Sequence, residues 1–147
     1  MTGRILAVDP GSIRIGIAIS DPMALIASPL TMIRHTSMEQ DCRVISDLCS
    51  QHDVALLIIG QPLGPNGEST PQSRHAQKIA EILVKMVDLP VELWDESGST
   101  QKAKRIKVEM GVSRKKRSGQ LDAHAAAVIL QDYLDASGNR RSDEPEE

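Results

Sequence analysis

The chain opens with two short apolar runs on either side of a tight polar turn. Residues 4–9 (R-I-L-A-V-D) read as a strand ending in an acid, 10–12 (P-G-S) carry turn chemistry, and 14–20 (R-I-G-I-A-I-S) resume strand character. Strands this close across so short a turn predict an antiparallel hairpin, and a weaker extended segment follows over 28–33. Met38, Cys42, Ile45, Leu48 and Cys49 then recur at helical spacing, with Ser37 and Gln40 placed as a capping box. Residues 54–59 form an unbroken apolar run of the buried-strand kind, stopped by Gly60-Gln61-Pro62 and a loop rich in Gly, Pro, Asn and Ser. Ala76, Ile79, Ala80, Leu83 and Val87 mark one face of a second helix. Pro90 opens a strand over 91–94 that again runs into acids, Asp95 and Glu96.

Ser99 or Thr100 can cap a further helix towards Met110. Residues 111–119 are polar and basic, and a last helix is expected over about 120–134, with Leu121, Ala125, Val128 and Ile129 facing inward. The order β-β-β-α-β-α-β-α-α predicts an α/β domain, a mixed sheet with helices on its faces. That domain is expected over 1–136, and 137–147 reads as a disordered polar tail.

Composition adds three points. Trp94 and Tyr133 are the only aromatic residues, so the core must be aliphatic. Cys42 and Cys49 fall in one predicted helix, where seven residues separate them by roughly 10 Å, beyond disulfide reach. No apolar run approaches a membrane span and no signal pattern opens the chain, so a reduced, cytoplasmic protein without a membrane partner is expected. Net charge is −3, and the two arginines and four acids of 137–147 supply −2 of it. The remainder is close to neutral, and its charge distribution matters more than its sum.

Three acids stand at telling places. Asp9 ends the first strand, Glu96 ends the last, and Asp122 lies in the first turn of the expected final helix. Right-handed crossovers set the 54–59 strand beside the first, which brings Glu96 and Asp9 towards one sheet edge; a helix across that edge delivers Asp122. Three converging carboxylates repel unless a cation lies between them, and oxygen-only ligation suits Mg²⁺ or Mn²⁺. The alternative is plain: strand-end acids also form turns, and an acid near a helix start also suits the dipole.

The string A-V-D-P-G-S-I-R-I-G-I-A-I-S-D (7–21) resembles the opening of the YqgF family, Holliday-junction-resolvase-like proteins of the ribonuclease H superfamily. The resemblance continues through S-P-L (28–30), I-I-G-Q-P-L (58–63), D-E-S-G-S-T (95–100) and L-D-A-H-A-A-A-V-I-L-Q (121–131). It implies a ribonuclease H-like five-stranded mixed sheet whose first three strands are antiparallel. It further implies a metal-dependent nuclease maturing the 5′ end of pre-16S rRNA in ribosome biogenesis. Asp9, Glu96 and Asp122 match the family's acidic positions. Where the family usually has Arg and a larger apolar residue after its D-E pair, this chain has Ser97 and Gly98. That removes a cation able to hold substrate phosphate. Arg14 is a candidate to supply part of the charge, the alternative being a strand-edge solubilising residue.

Lys102, Lys104, Arg105, Lys107, Arg114, Lys115, Lys116 and Arg117 place eight of seventeen basic residues in sixteen positions. Next to a metal site, such a run suits a phosphate-backbone path. With few aromatics to stack bases, recognition should rest on backbone and shape, RNA before DNA. Gly11 suits a tight turn and close approach of substrate. His124 reads as a solvent-facing helix histidine, and His35, His52 and His75 show no partner pattern. Nucleotide hydrolysis is disfavoured: the D-x-G-S hairpin also resembles the phosphate loop of sugar kinases and actin-like ATPases, but those folds need far more chain. Cleavage of branched DNA by a symmetric homodimer, or nucleic-acid binding without catalysis, remain the alternatives to RNA cleavage by a monomer or homodimer, possible partners including pre-ribosomal particles.

Overall fold

The hairpin at the start of the chain organises a five-stranded sheet. The computed structural model describes residues 3–11, 13–95 and 114–142. Its elements are β1 (Arg4–Pro10), β2 (Arg14–Ser20), β3 (Ala27–Arg34), α1 (Met38–Gln51), β4 (Val54–Gln61), α2 (Pro71–Met86), β5 (Val91–Asp95) and α3 (Arg114–Ser142). The strand order is β3-β2-β1-β4-β5, with β1–β2 and β2–β3 antiparallel and β1–β4 and β4–β5 parallel. This is the mixed sheet expected from the sequence, with the crossover strand β4 beside β1.

Alternation along the strands sorts the core into two layers. Leu6 and Val8 of β1, Ile15, Ile17 and Ile19 of β2, and Leu57 and Ile59 of β4 pack against Cys42 and Ile45 of α1 and Ile79 and Leu83 of α2. Ile5 and Ala7, Ala18, and Ile58 turn to the other face, where Ala126, Ala127, Leu130 and Leu134 of α3 cover them. Central strands buried on both faces explain why β1 and β4 read as continuous apolar runs. Under α3 the sheet presents Ala7, Gly16 and Ala18 beside Ile5 and Ile58, and at Gly16 α3 rides close to the sheet.

Caps fix the helix starts. The Ser37 hydroxyl accepts from the Gln40 N–H at 3.1 Å, and Thr70 with Ser73 forms a reciprocal capping box at α2. The β2–β3 connection is held by Asp21, whose carboxylate accepts the N–H groups of Met23, Leu25 and Ile26. Gln131 of α3 ties the same loop down, accepting from Ala27 N–H and donating to Leu25 C=O. Trp94 and Tyr133, the two aromatics, meet edge to face at 5.1 Å where β5 passes α3.

Several expectations change. Helix α3 begins at Arg114 rather than near residue 120, and it continues to Ser142, into the segment that reads as tail. Arg, Lys, Gln and Leu are good helix formers, and they carry the helix through Ser118 and Gly119. Among its described side chains, the buried ones are Ala123, Ala126, Ala127, Ile129, Leu130 and Leu134; Ala125 and Val128 are only half-buried, and Leu121 lies outside the described side chains. Alanines go inward because the sheet beneath them is also lined with small residues. His35 does have a partner: its Nδ1 meets the Asp41 carboxylate, which is 2% exposed and also accepts from Thr36 N–H. The helix expected from Ser99 or Thr100 to Met110 lies outside the described residues.

Candidate active site

Asp9, the last acid of β1, stands directly opposite Gly16 of β2 in the antiparallel ladder. Ile5, Ala7 and Asp9 alternate onto the α3 face of the sheet, as do Gly16 and Ala18. Gly16 is where α3 touches down: a Cβ built there would lie 2.0 Å from the Asp122 carbonyl oxygen and 3.2 Å from the Ala123 nitrogen. With only hydrogen at residue 16, α3 sets the Asp122 main chain directly on the strand position that pairs with Asp9. Because α3 starts at Arg114, Asp122 sits in the helix interior, beyond the first turn over which a dipole acts. Its position answers to the sheet edge and not to the helix terminus.

Arg14 lies on the same face two residues before Gly16. Its Nε approaches Asp122 Oδ2 to 3.0 Å, with both side chains about one-third exposed. The approach supplies opposite charge without hydrogen-bond alignment, for Asp122 Oδ2 is a buried oxygen that no donor satisfies. The distance alone is compatible with an ion pair; the angle leaves the oxygen's lone pairs open. Arg14 thus has an acidic partner on this face of the sheet. His124 Nε2 is likewise buried without a hydrogen-bond partner, so His124 is not the solvent-facing histidine expected. Its helix neighbours 123 and 127 are buried, and that phase, once the helix start is known, is the signal that places it.

Gly11 closes the turn between β1 and β2, where a Cβ would lie 2.1 Å from the Arg14 carbonyl oxygen; the turn itself demands glycine. Glu96, with Ser97 and Gly98, lies outside the described residues, as do Lys102 and Arg105. The strand leading to Glu96 is in place: Glu92 and Trp94 of β5 face α3, binding Tyr133 Oη and Asp132, and Asp95 pairs in register with Gln61. Arg114, Lys115, Lys116 and Arg117 form the first turn of α3, its start lying about 12 Å along the axis from Asp122. Sequence reading missed Arg34, which sits opposite Arg14 in the β2–β3 ladder; only the register reveals it.

A buried carboxylate oxygen without a hydrogen-bond partner, on the sheet face that also carries a strand-end acid, is an oxygen donor of the kind a hard divalent cation takes. Residues 3–136 match the family profile RuvX, described as Holliday junction resolvase. The chain belongs to the RuvX family. It is 40% identical over 131 residues to a Halothermothrix orenii protein named "Putative pre-16S rRNA nuclease", covering 89% of this chain and 94% of that one. A Symbiobacterium thermophilum protein of the same name is 40% identical over 137 residues, covering 93% and 95%. The fold resembles Thermus thermophilus RuvC in complex with a Holliday junction substrate (TM-score 0.60, 12% identity, 92% of this chain and 96% of that one). It also resembles the fowlpox virus resolvase bound to Holliday junction DNA (TM-score 0.53, 12% identity, 91% and 98%). These structural likenesses bear out the ribonuclease H-like fold. The expected class, a hydrolase of nucleic-acid phosphodiester bonds, is the class to which the family description and the relatives' names belong.

Proposed function

We propose that this RuvX-family nuclease works with a bound Mg²⁺ or Mn²⁺, held by Asp9, Glu96 and Asp122, and acts on the 5′ end of pre-16S rRNA in the cytoplasm. The single observation that carries the site is the open, buried Asp122 Oδ2 on the same sheet face as Asp9. Arg14 supplies one positive charge beside Asp122, and a cation between the two carboxylates would relieve their repulsion. Glu96 is the third acid, one residue beyond β5. A divalent cation held by these acids would supply Lewis-acid polarisation of a phosphoryl oxygen and would lower the pKa of a water.

The chain's own residues then have separable roles. Asp9 fixes one side of the site from a strand buried on both faces. Asp122 is locked at the other side by the Gly16 contact. Arg14 lends opposite charge to Asp122 and leaves the remainder of its guanidinium for substrate phosphate. The basic first turn of α3, Arg114–Arg117, supplies backbone contacts, joined by Lys102 and Arg105; Gly11 gives substrate close access. Among the described residues no helix is long and apolar enough to cross a membrane, in keeping with a cytoplasmic role beside pre-ribosomal particles, as a monomer or homodimer.

The test is a cleavage assay with a precursor-rRNA 5′-end mimic, unrelated single-stranded RNA and a four-way DNA junction, with and without Mg²⁺ or Mn²⁺. Cation-dependent cleavage of the rRNA mimic, abolished by Asp9→Asn and by Asp122→Asn, is expected. Preferential cleavage of the junction would move the substrate to branched DNA. Binding without cleavage under every condition would sink the catalytic reading.

A further inference from the structure

We propose that Arg34, standing opposite Arg14 in the β2–β3 ladder, is a phosphate-binding residue that carries single-stranded RNA from the carboxylates towards the β3 edge. The inference rests on the nuclease reading and adds a direction to the substrate path. Arg14 and Arg34 are register partners, so their side chains leave the same face of the sheet, the face that holds Asp9 and Asp122. Like charges directly opposite one another destabilise a ladder. Arg14 has its counter-charge in Asp122, whereas Arg34 is exposed and no carboxylate pairs with it among the described residues. Among the described residues the pair therefore carries one positive charge without a carboxylate partner, beside the candidate active site.

The backbone that presents Arg34 is pinned. The next residue, His35, donates its N–H to the Ile13 carbonyl at 2.9 Å. Its ring is held by buried Asp41, and Thr36 N–H donates to the same carboxylate. A guanidinium on a fixed strand end loses less entropy on binding than one on a free loop. From β1 to β3 spans two strand spacings, about 10 Å. Arg34 thus reaches a phosphate flanking the one at Asp9 and Asp122, on the side away from β4 and β5. A planar, always-charged fork suits that ligand.

The experiment measures binding of labelled single-stranded RNA to the full chain carrying Asp9→Asn, across a salt series. Adding Arg34→Ala should weaken binding roughly tenfold, the loss of one charge-assisted contact. It should also lower the slope of log K against log salt by about one. Arg34→Lys should restore the slope, which a purely structural role would not predict. Arg43→Ala, which breaks a surface pair with Glu39 on the opposite, α1 side, should change neither quantity. Affinity and slope unaltered by Arg34→Ala, in a parent that binds RNA, would overturn the role of Arg34 and leave the nuclease reading standing. A parent that binds no nucleic acid at all would overturn both.

Discussion

Gly16 and Asp122 are in direct backbone contact: α3 crosses β2 so closely that a single methyl group at residue 16 would lie 2.0 Å from the Asp122 carbonyl oxygen. The obstacle is main chain, so no rotamer change relieves it, and the helix itself must move. Gly16→Ala should destabilise the fold by about 2–3 kcal/mol, the upper range for overpacking. It should also displace Asp122 from Asp9, lowering cation affinity as well as urea stability. Titrating Mn²⁺ by calorimetry into folded Gly16→Ala checks the second effect separately from the first. A variant of native stability and native cation affinity would mean that the contact is not what sets the site.

How much of this was legible beforehand varies with the kind of signal. The hairpin, β4 and both α1 and α2 follow from apolar periodicity and turn residues, because in those segments local preference and tertiary burial agree. The start of α3 was not legible, because Gly119 and a basic run look like loop, although the Arg, Lys, Gln and Leu around them favour helix. Asp9 and Asp122 could be picked out by placement and by resemblance. The contact that seats Asp122 could not, since it depends on Gly16 having no side chain under a helix distant in sequence. Arg34 and the His35–Asp41 pair escaped for the same reason: each partner is fixed by strand register or by a chain reversal, and neither leaves a periodic trace.

Asp21 contributes to how the fold responds to acid. Its carboxylate accepts N–H groups from Ile26, Leu25 and Met23, and those bonds hold its pKa below the ordinary value of 3.8. A carboxylate with a depressed folded pKa contributes stability that is present above its unfolded value. That contribution is lost as the pH falls through the folded pKa. Asp21→Asn should therefore lower the urea midpoint at neutral pH, and the difference from the parent should shrink as the pH is taken below 3.8. Paired urea titrations at pH 7 and at the most acid pH where both chains still fold would read it. A gap that widened in acid would contradict this account.

Cys42 and Cys49 should be silent in the folded protein. Both are buried and free. Burial pushes each thiol up to about 11, with the Asp41 charge adding to the effect at Cys42. At pH 8 roughly one thiol in a thousand would then be ionised even if reagent could reach it, and the thiolate is the reactive form. Iodoacetamide should modify neither cysteine in native protein at pH 8 and both in urea, as intact mass reports directly. The same shifts set an alkaline limit: a raised folded pKa favours the fold fully below the unfolded value of 9.0, and the advantage is lost as the pH climbs from there towards 11. Replacing both residues with serine should flatten the alkaline arm of the stability profile while costing packing at neutral pH. Rapid labelling of native Cys42 would show that α1 opens far more often than its buried contacts with Ile79 and its neighbours allow.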